Sequence, residues 1–147
     1  MDKNEMREAI LAAKAAKGRS WEAIAEAVGL NPVFVCSAAL GENSMQKGEA
    51  DALCKALGLP ADVATALQAF PIKGQRAIEL ENDPLVYRFR ELVMVYGETL
   101  KEVVQEKMGD GIVSAIDFTM DVDKVPDPKG DRVKITMCGK FLPYKRW

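Results

Sequence analysis

Apolar side chains recur every three or four positions through the first half of the chain and every second position near its end. From Lys3 to about Leu67 this spacing predicts short helices punctuated by Gly18, Gly29, Gly41, Gly48 and Gly58. Ser20 stands before Trp21, Ile24, Ala25 and Val28 as a helix cap stands before its apolar face. Gly29-Leu30 then turns the chain, and Asn31-Pro32 opens a further helix through Val35, Ala38 and Ala39. Two short helices around such a turn form a helix-turn-helix pattern. The stretch AFPIKGQ reads as a connector and places a boundary near Pro71 to Gln75, dividing a helical domain, 1–72, from a second domain, 73–147. Asp83-Pro84 supplies the cap and first-turn proline of a long helix with Leu85, Phe89 and Leu92 along one side. Gly97 is expected to interrupt it, leaving a second helical segment from Thr99 to Met108 that ends at Gly109.

Past Gly109-Asp110-Gly111 the period changes to two. Ile116, Phe118, Met120 and Val122 alternate with Asp117, Thr119, Asp121 and Asp123, the pattern of a half-buried strand. After the loop VPDPKGD, Val133, Ile135 and Met137 alternate with Arg132, Lys134 and Thr136 as a second strand. The predicted class is α+β: a helical bundle, then one helical region and two strands. Two strands are rarely stable alone, so this half is expected to pair with another subunit.

Composition narrows the chemistry. The chain has 147 residues, 48% of them hydrophobic, enough for a core of its own. Its 20 basic and 22 acidic residues give a formal charge of -2, which provides no general field for nucleic acid or anionic lipid. The opening MDKNEMREAILAAKAAKGRSW lacks the unbroken apolar stretch of a secretory signal or membrane span, so a cytoplasmic protein is expected. There is no histidine, and Cys36, Cys54 and Cys138 are widely spaced, so neither a disulfide framework nor a metal site is expected. Without histidine a Ser-His-Asp or Cys-His nucleophile is excluded. Proton movement would fall to carboxylates, Lys, Tyr, Cys, water or the substrates.

Two features carry candidate chemistry. Arg88 and Glu91 lie three residues apart on one helix face, a spacing shared with ordinary solvated ion pairs. Arg88 sits between Tyr87 and Phe89, where a guanidinium also suits an anion or a buried partner. Counting back by twos from Val122 places Ser114 on the core face of the first strand, where its hydroxyl needs a partner. That partner is either nearby backbone or something in a pocket, and Gly109 and Gly111 permit close backbone approach. An alternative function is a helix-turn-helix regulator. However, NPVFVCSAAL carries no Arg, Lys or Gln, and no basic residue occurs between Arg19 and Lys47, so the donors that DNA requires are missing. A non-catalytic interaction module presenting Trp21, Phe34 and methionines is the other alternative, although their helical spacing favours the core.

The stretches DPLVYRFRELVMVYGETLKEVVQEKMGDGIVSAIDFTMDVDKV and KGDRVKITMCGKFLPYKRW resemble the C-terminal half of cyanases. The helical first half is similar too. The combination of YRF-x-E, GDGI-x-SAI and GK-aromatic-LP is more specific than any single motif. The resemblance implies a repressor-like helical domain joined to a small dimerisation domain, with dimers assembled into a decamer and active sites between subunits. It further implies that cyanate and bicarbonate are the substrates, that no cofactor or metal takes part, and that neither nucleic acid nor membrane is a partner. By the same resemblance Arg88, Glu91 and Ser114 are the catalytic residues, and Ile112 and Ala115 line the pocket. Cys138 before Gly139, and the ending Tyr144 to Trp147, depart from the family pattern at positions expected to form subunit contacts.

Overall fold

Helix boundaries in the first half are set by side chains that take up otherwise unpaired backbone N–H groups. In the computed structural model, which describes residues 1–147, Asp2 caps α1 (Lys3–Ala16) and Ser20 caps α2 (Trp21–Val28). The Asn31 side chain accepts from Val33 N at 2.8 Å to start α3 (Pro32–Ala39). Gly29 ends α2 with φ of 80°, a conformation that favours glycine and lets the chain reverse sharply. The chain bends by 98° between α2 and α3, as a helix-turn-helix requires. α4 (Lys47–Leu57) and α5 (Ala61–Gln68) complete the bundle.

The helices are amphipathic because they share one core. Met6, Ile10, Ile24, Val35, Leu53, Leu57, Val63 and Leu67 are wholly or almost wholly buried, and Trp21 packs part-buried against them. Phe34 departs from the expectation of a core position. Its side chain is exposed, because the buried face of α3 is formed by Val35, Ala38 and Ala39. The chain divides into two compact units, one formed by residues 1–74 with 120–135, the other by 75–119 with 136–147.

In the second unit, Asp83 accepts from Leu85 N and Val86 N, each at 3.0 Å, and starts α6. This helix runs unbroken over Pro84–Met108, so the expected interruption at Gly97 does not occur. One interior glycine costs about 1 kcal/mol of helix propensity, too little to break a 25-residue helix whose other positions are mostly good helix formers. None of those residues is buried, although the helix carries Leu85, Phe89, Leu92, Val93, Met94, Leu100 and Val103.

The remainder is a two-stranded antiparallel sheet, β1 (Gly111–Val125) with β2 (Arg132–Pro143). The loop between them is closed by Asp127, which accepts from Lys129 N and from Arg132 Nε, both at 2.8 Å. The half-buried face expected of β1 is only partly realised. Phe118 and Met120 are partly covered, but Val122 is exposed and Ile116 is 97% exposed. Within one chain nothing covers Ile116, and β1 is distorted just before it, as the hydrogen bonds of Ser114 show.

Candidate functional site

Arg88 and Glu91 project from the first two turns of α6. The three-residue spacing brings Arg88 Nη1 to 2.8 Å from Glu91 Oε2, while the guanidinium carbon lies 4.9 Å from the centre of the Tyr87 ring. Both side chains are open, at 60% and 49% exposure, so as a stabilising pair they contribute at most a few tenths of a kcal/mol. Their geometric effect is larger. The carboxylate takes one guanidinium nitrogen and the guanidinium carbon lies over the Tyr87 ring, which restricts a long side chain and leaves further N–H donors free. A fork held this way presents a fixed positive charge to a small anion.

Ser114 lies on β1, half-buried. Its Oγ accepts from Ile116 N at 3.1 Å and from Asp117 N at 3.0 Å, so the backbone partner anticipated from the sequence is the one observed. A serine hydroxyl has two acceptor positions and one proton. With both acceptor positions taken by N–H groups, what the hydroxyl has left to offer a further partner is its proton. Ser114 is therefore arranged as a hydrogen-bond donor and, with no histidine in the chain, has no imidazole to make it a nucleophile.

That hydrogen-bond pair also reshapes the strand. Three residues of regular strand advance about 10 Å, yet Asp117 N is 3.0 Å from the Ser114 hydroxyl, so the chain folds back on itself between them. Ile112 and Ala115, beside Ser114, are both exposed. No hydrogen bond or ion pair within the chain joins Ser114 to Arg88 or Glu91.

Two glycines, Gly111 and Gly139, underlie the Ser114 turn. A Cβ on Gly139 would lie 2.5 Å from Ser114 O and 2.5 Å from Val113 Cγ1, and one on Gly111 would collide with the Leu142 carbonyl. Neither glycine has positive φ, so the requirement is for space between the strands. The sequence marked Gly111 as a point of close approach but gave no such sign at Gly139.

Asn31 Nδ2, at the start of α3, donates to Asp121 Oδ1 at 2.7 Å, which sets a carboxylate beside the N-terminus that a recognition helix would present to DNA. No group of three His, Cys, Asp or Glu side chains converges as metal ligands would. No single helix is long and apolar enough to cross a membrane.

Comparison with known proteins covers both halves of the chain. The family described as cyanate hydratase, N-terminal, matches residues 3–71, and the cyanate lyase C-terminal domain matches residues 79–146. A cyanate hydratase from Synechococcus sp. (strain CC9311) is 55% identical over 138 residues, covering 94% of this chain and 92% of the relative. A cyanate hydratase from Pseudomonas putida (strain F1) is 54% identical over 147 residues, the whole of both chains. The crystal structure of cyanase from T. urticae superposes with a TM-score of 0.86 at 37% identity, covering 94% of this chain and 96% of that one.

Proposed function

Since this chain belongs to the cyanate hydratase (cyanase) family of carbon–nitrogen lyases, we propose that it decomposes cyanate with bicarbonate at a site formed by Arg88, Glu91 and Ser114. The observation that carries the site is the Arg88 guanidinium, oriented by Glu91 at 2.8 Å and by Tyr87. Cyanate and bicarbonate are both anions, and two unit charges 4 Å apart repel by about 4 kcal/mol at an effective dielectric constant of 20. A site that brings them together needs fixed positive charge. In a symmetric oligomer, two copies of Arg88 can flank the pair.

The bicarbonate oxygen attacks the cyanate carbon, and the free N–H groups of Arg88 and the outward proton of Ser114 stabilise the charge that develops. The adduct takes up a proton and loses carbon dioxide to leave carbamate. Carbamate takes up a second proton and breaks down to ammonia and a second carbon dioxide. One cyanate, one bicarbonate and two protons thus give one ammonia and two carbon dioxide. Bicarbonate supplies the nucleophile, so the scheme requires neither redox centre nor metal. Glu91 orients Arg88, and Ile112 and Ala115 border the substrates.

Catalysis and dimerisation are assigned to residues 73–147, and residues 1–72 act as a helical scaffold. Support for assembly comes from α6, which has no buried residue despite its apolar surface, and from an apolar groove bordered by Val86, Phe89, Arg90, Val93 and Met94. A second copy covering this face, with dimers building a decamer, would bring the Arg88 and Ser114 pieces of different subunits together. Three unpaired thiols fit a reducing, cytoplasmic setting.

Subunit mixing tests the shared site. Arg88→Ala and Ser114→Ala chains, each at least about 10²-fold slower than wild type alone, are unfolded together and reassembled. The expected result is recovery of a measurable fraction of wild-type ammonia release, because some sites draw an intact Arg88 and an intact Ser114 from different chains. Absence of recovery in correctly sized mixed oligomers would place the site within one chain.

A further inference from the structure

We propose that Gly139 is a positioning residue for Ser114, holding open the space in which β1 folds back and aims the Ser114 proton at the substrate anions. The inference rests on reading Ser114 as the donor in the proposed site. Gly139 lies on β2 beside the distorted part of β1, and its missing side chain is what admits that distortion. A Cβ there would stand 2.5 Å from the Ser114 carbonyl oxygen, 2.5 Å from Val113 Cγ1 and 3.2 Å from Phe118 Cδ2. These three neighbours bracket the fold-back, one before Ser114, one on its own carbonyl and one just after Asp117.

The Ser114 carbonyl is the contact that matters most. A flexible side chain can turn away from a new methyl group, whereas a carbonyl oxygen moves only if its peptide plane rotates. Rotation of that plane moves the residue that carries the hydroxyl and the two N–H groups, Ile116 N and Asp117 N, that occupy its acceptor positions. Once those bonds are lost, the hydroxyl is free to rotate and to accept instead of donate. Gly139 has no positive φ, so alanine is compatible with the backbone there and the effect of the substitution is one of space alone.

The test is a double-mutant cycle on the assembled protein, with sedimentation velocity confirming the oligomer in each variant. Ser114→Ala is expected to lower kcat about 10²-fold, the loss typical of one transition-state donor. Gly139→Ala is expected to lower kcat at least about tenfold while changing the KM for cyanate less than about twofold, as for an interaction made only in the transition state. The double variant should be no slower than Ser114→Ala alone, because a residue that acts through Ser114 has nothing left to position. Multiplicative losses would overturn the inference, as would full activity in Gly139→Ala. Val113→Ala/Gly139→Ala removes the side-chain clash but keeps the clash with the carbonyl, and is expected to remain slow. Recovery in that variant, or failure of both Gly139 variants to assemble, would also overturn it. Full activity in Ser114→Ala would instead sink the site assignment itself.

Discussion

Arg88 and Glu91 interact by one charge-assisted contact of 2.8 Å on an open helix face, where a salt bridge adds little stability. Removing either should therefore change activity far more than folding. Arg88→Lys keeps the charge but loses the planar fork, and is expected to reduce kcat/KM by at least about 10²-fold with a Tm within a degree or two of wild type. Steady-state assays and a thermal melt on the same preparation check both halves of that statement. Glu91→Gln keeps an oxygen for Arg88 without the charge, so substantial activity in this variant would mean that Glu91 serves to orient and not to exchange protons. Asp127 responds to pH by a different route. Its hydrogen bonds from Arg132 and from Lys129 N hold its carboxyl below the ordinary 3.8. A depressed folded-state pKa contributes stability that is complete above the ordinary value and is lost as pH falls through the folded one. A carboxyl-detected NMR titration should therefore show Asp127 ionised below pH 3.8, and Arg132→Ala should move its midpoint upward.

At the scale of elements, Asn31 does two jobs, capping α3 through its oxygen and tying it to Asp121 on β1 through its nitrogen. Aspartate is as good a cap as asparagine, so a purely local role predicts that Asn31→Asp is tolerated. The contact with Asp121 predicts otherwise: the substitution sets two carboxylates together and should destabilise by about 1 kcal/mol or more in denaturant melts, with Asp121→Asn restoring part of the loss. Asn31 also marks how far the sequence could be read. The caps at Ser20, Asn31 and Asp83 were legible because a cap and the N–H groups it serves lie within three residues of each other. The tie to Asp121 spans 90 residues and leaves no local sign. Gly97 does not interrupt α6, because its single propensity penalty is outweighed by the favourable residues on either side. The alternation of β1 showed that a strand exists, and the register count placed Ser114 where a polar group needs a partner. The fold-back at Ser114 depends on Gly139 in the facing strand, and no period in β1 reports on it.

At the scale of the whole molecule, the helical unit has a closed core, whereas α6 and the strands display apolar surface. Met94 is 77% exposed and borders the apolar groove of α6. A charge introduced beside it, Val93→Asp, is expected to dissociate the assembly and abolish activity, seen as a fall in sedimentation coefficient with the helical far-ultraviolet signal largely kept. In the core, Leu53→Ala should destabilise by about 2–5 kcal/mol through a cavity that the bundle cannot fill. These two outcomes separate the face proposed to build the oligomer from the core that builds the subunit. Above both stands the claim that the chain joins cyanate to bicarbonate through Arg88. The most direct test is ammonia release from cyanate by the purified oligomer, with bicarbonate present and then stripped from the buffer, beside an Arg88→Ala oligomer of the same size. Release that requires bicarbonate and disappears in Arg88→Ala is the predicted result. Release that continues without bicarbonate, or survives in Arg88→Ala, would contradict it.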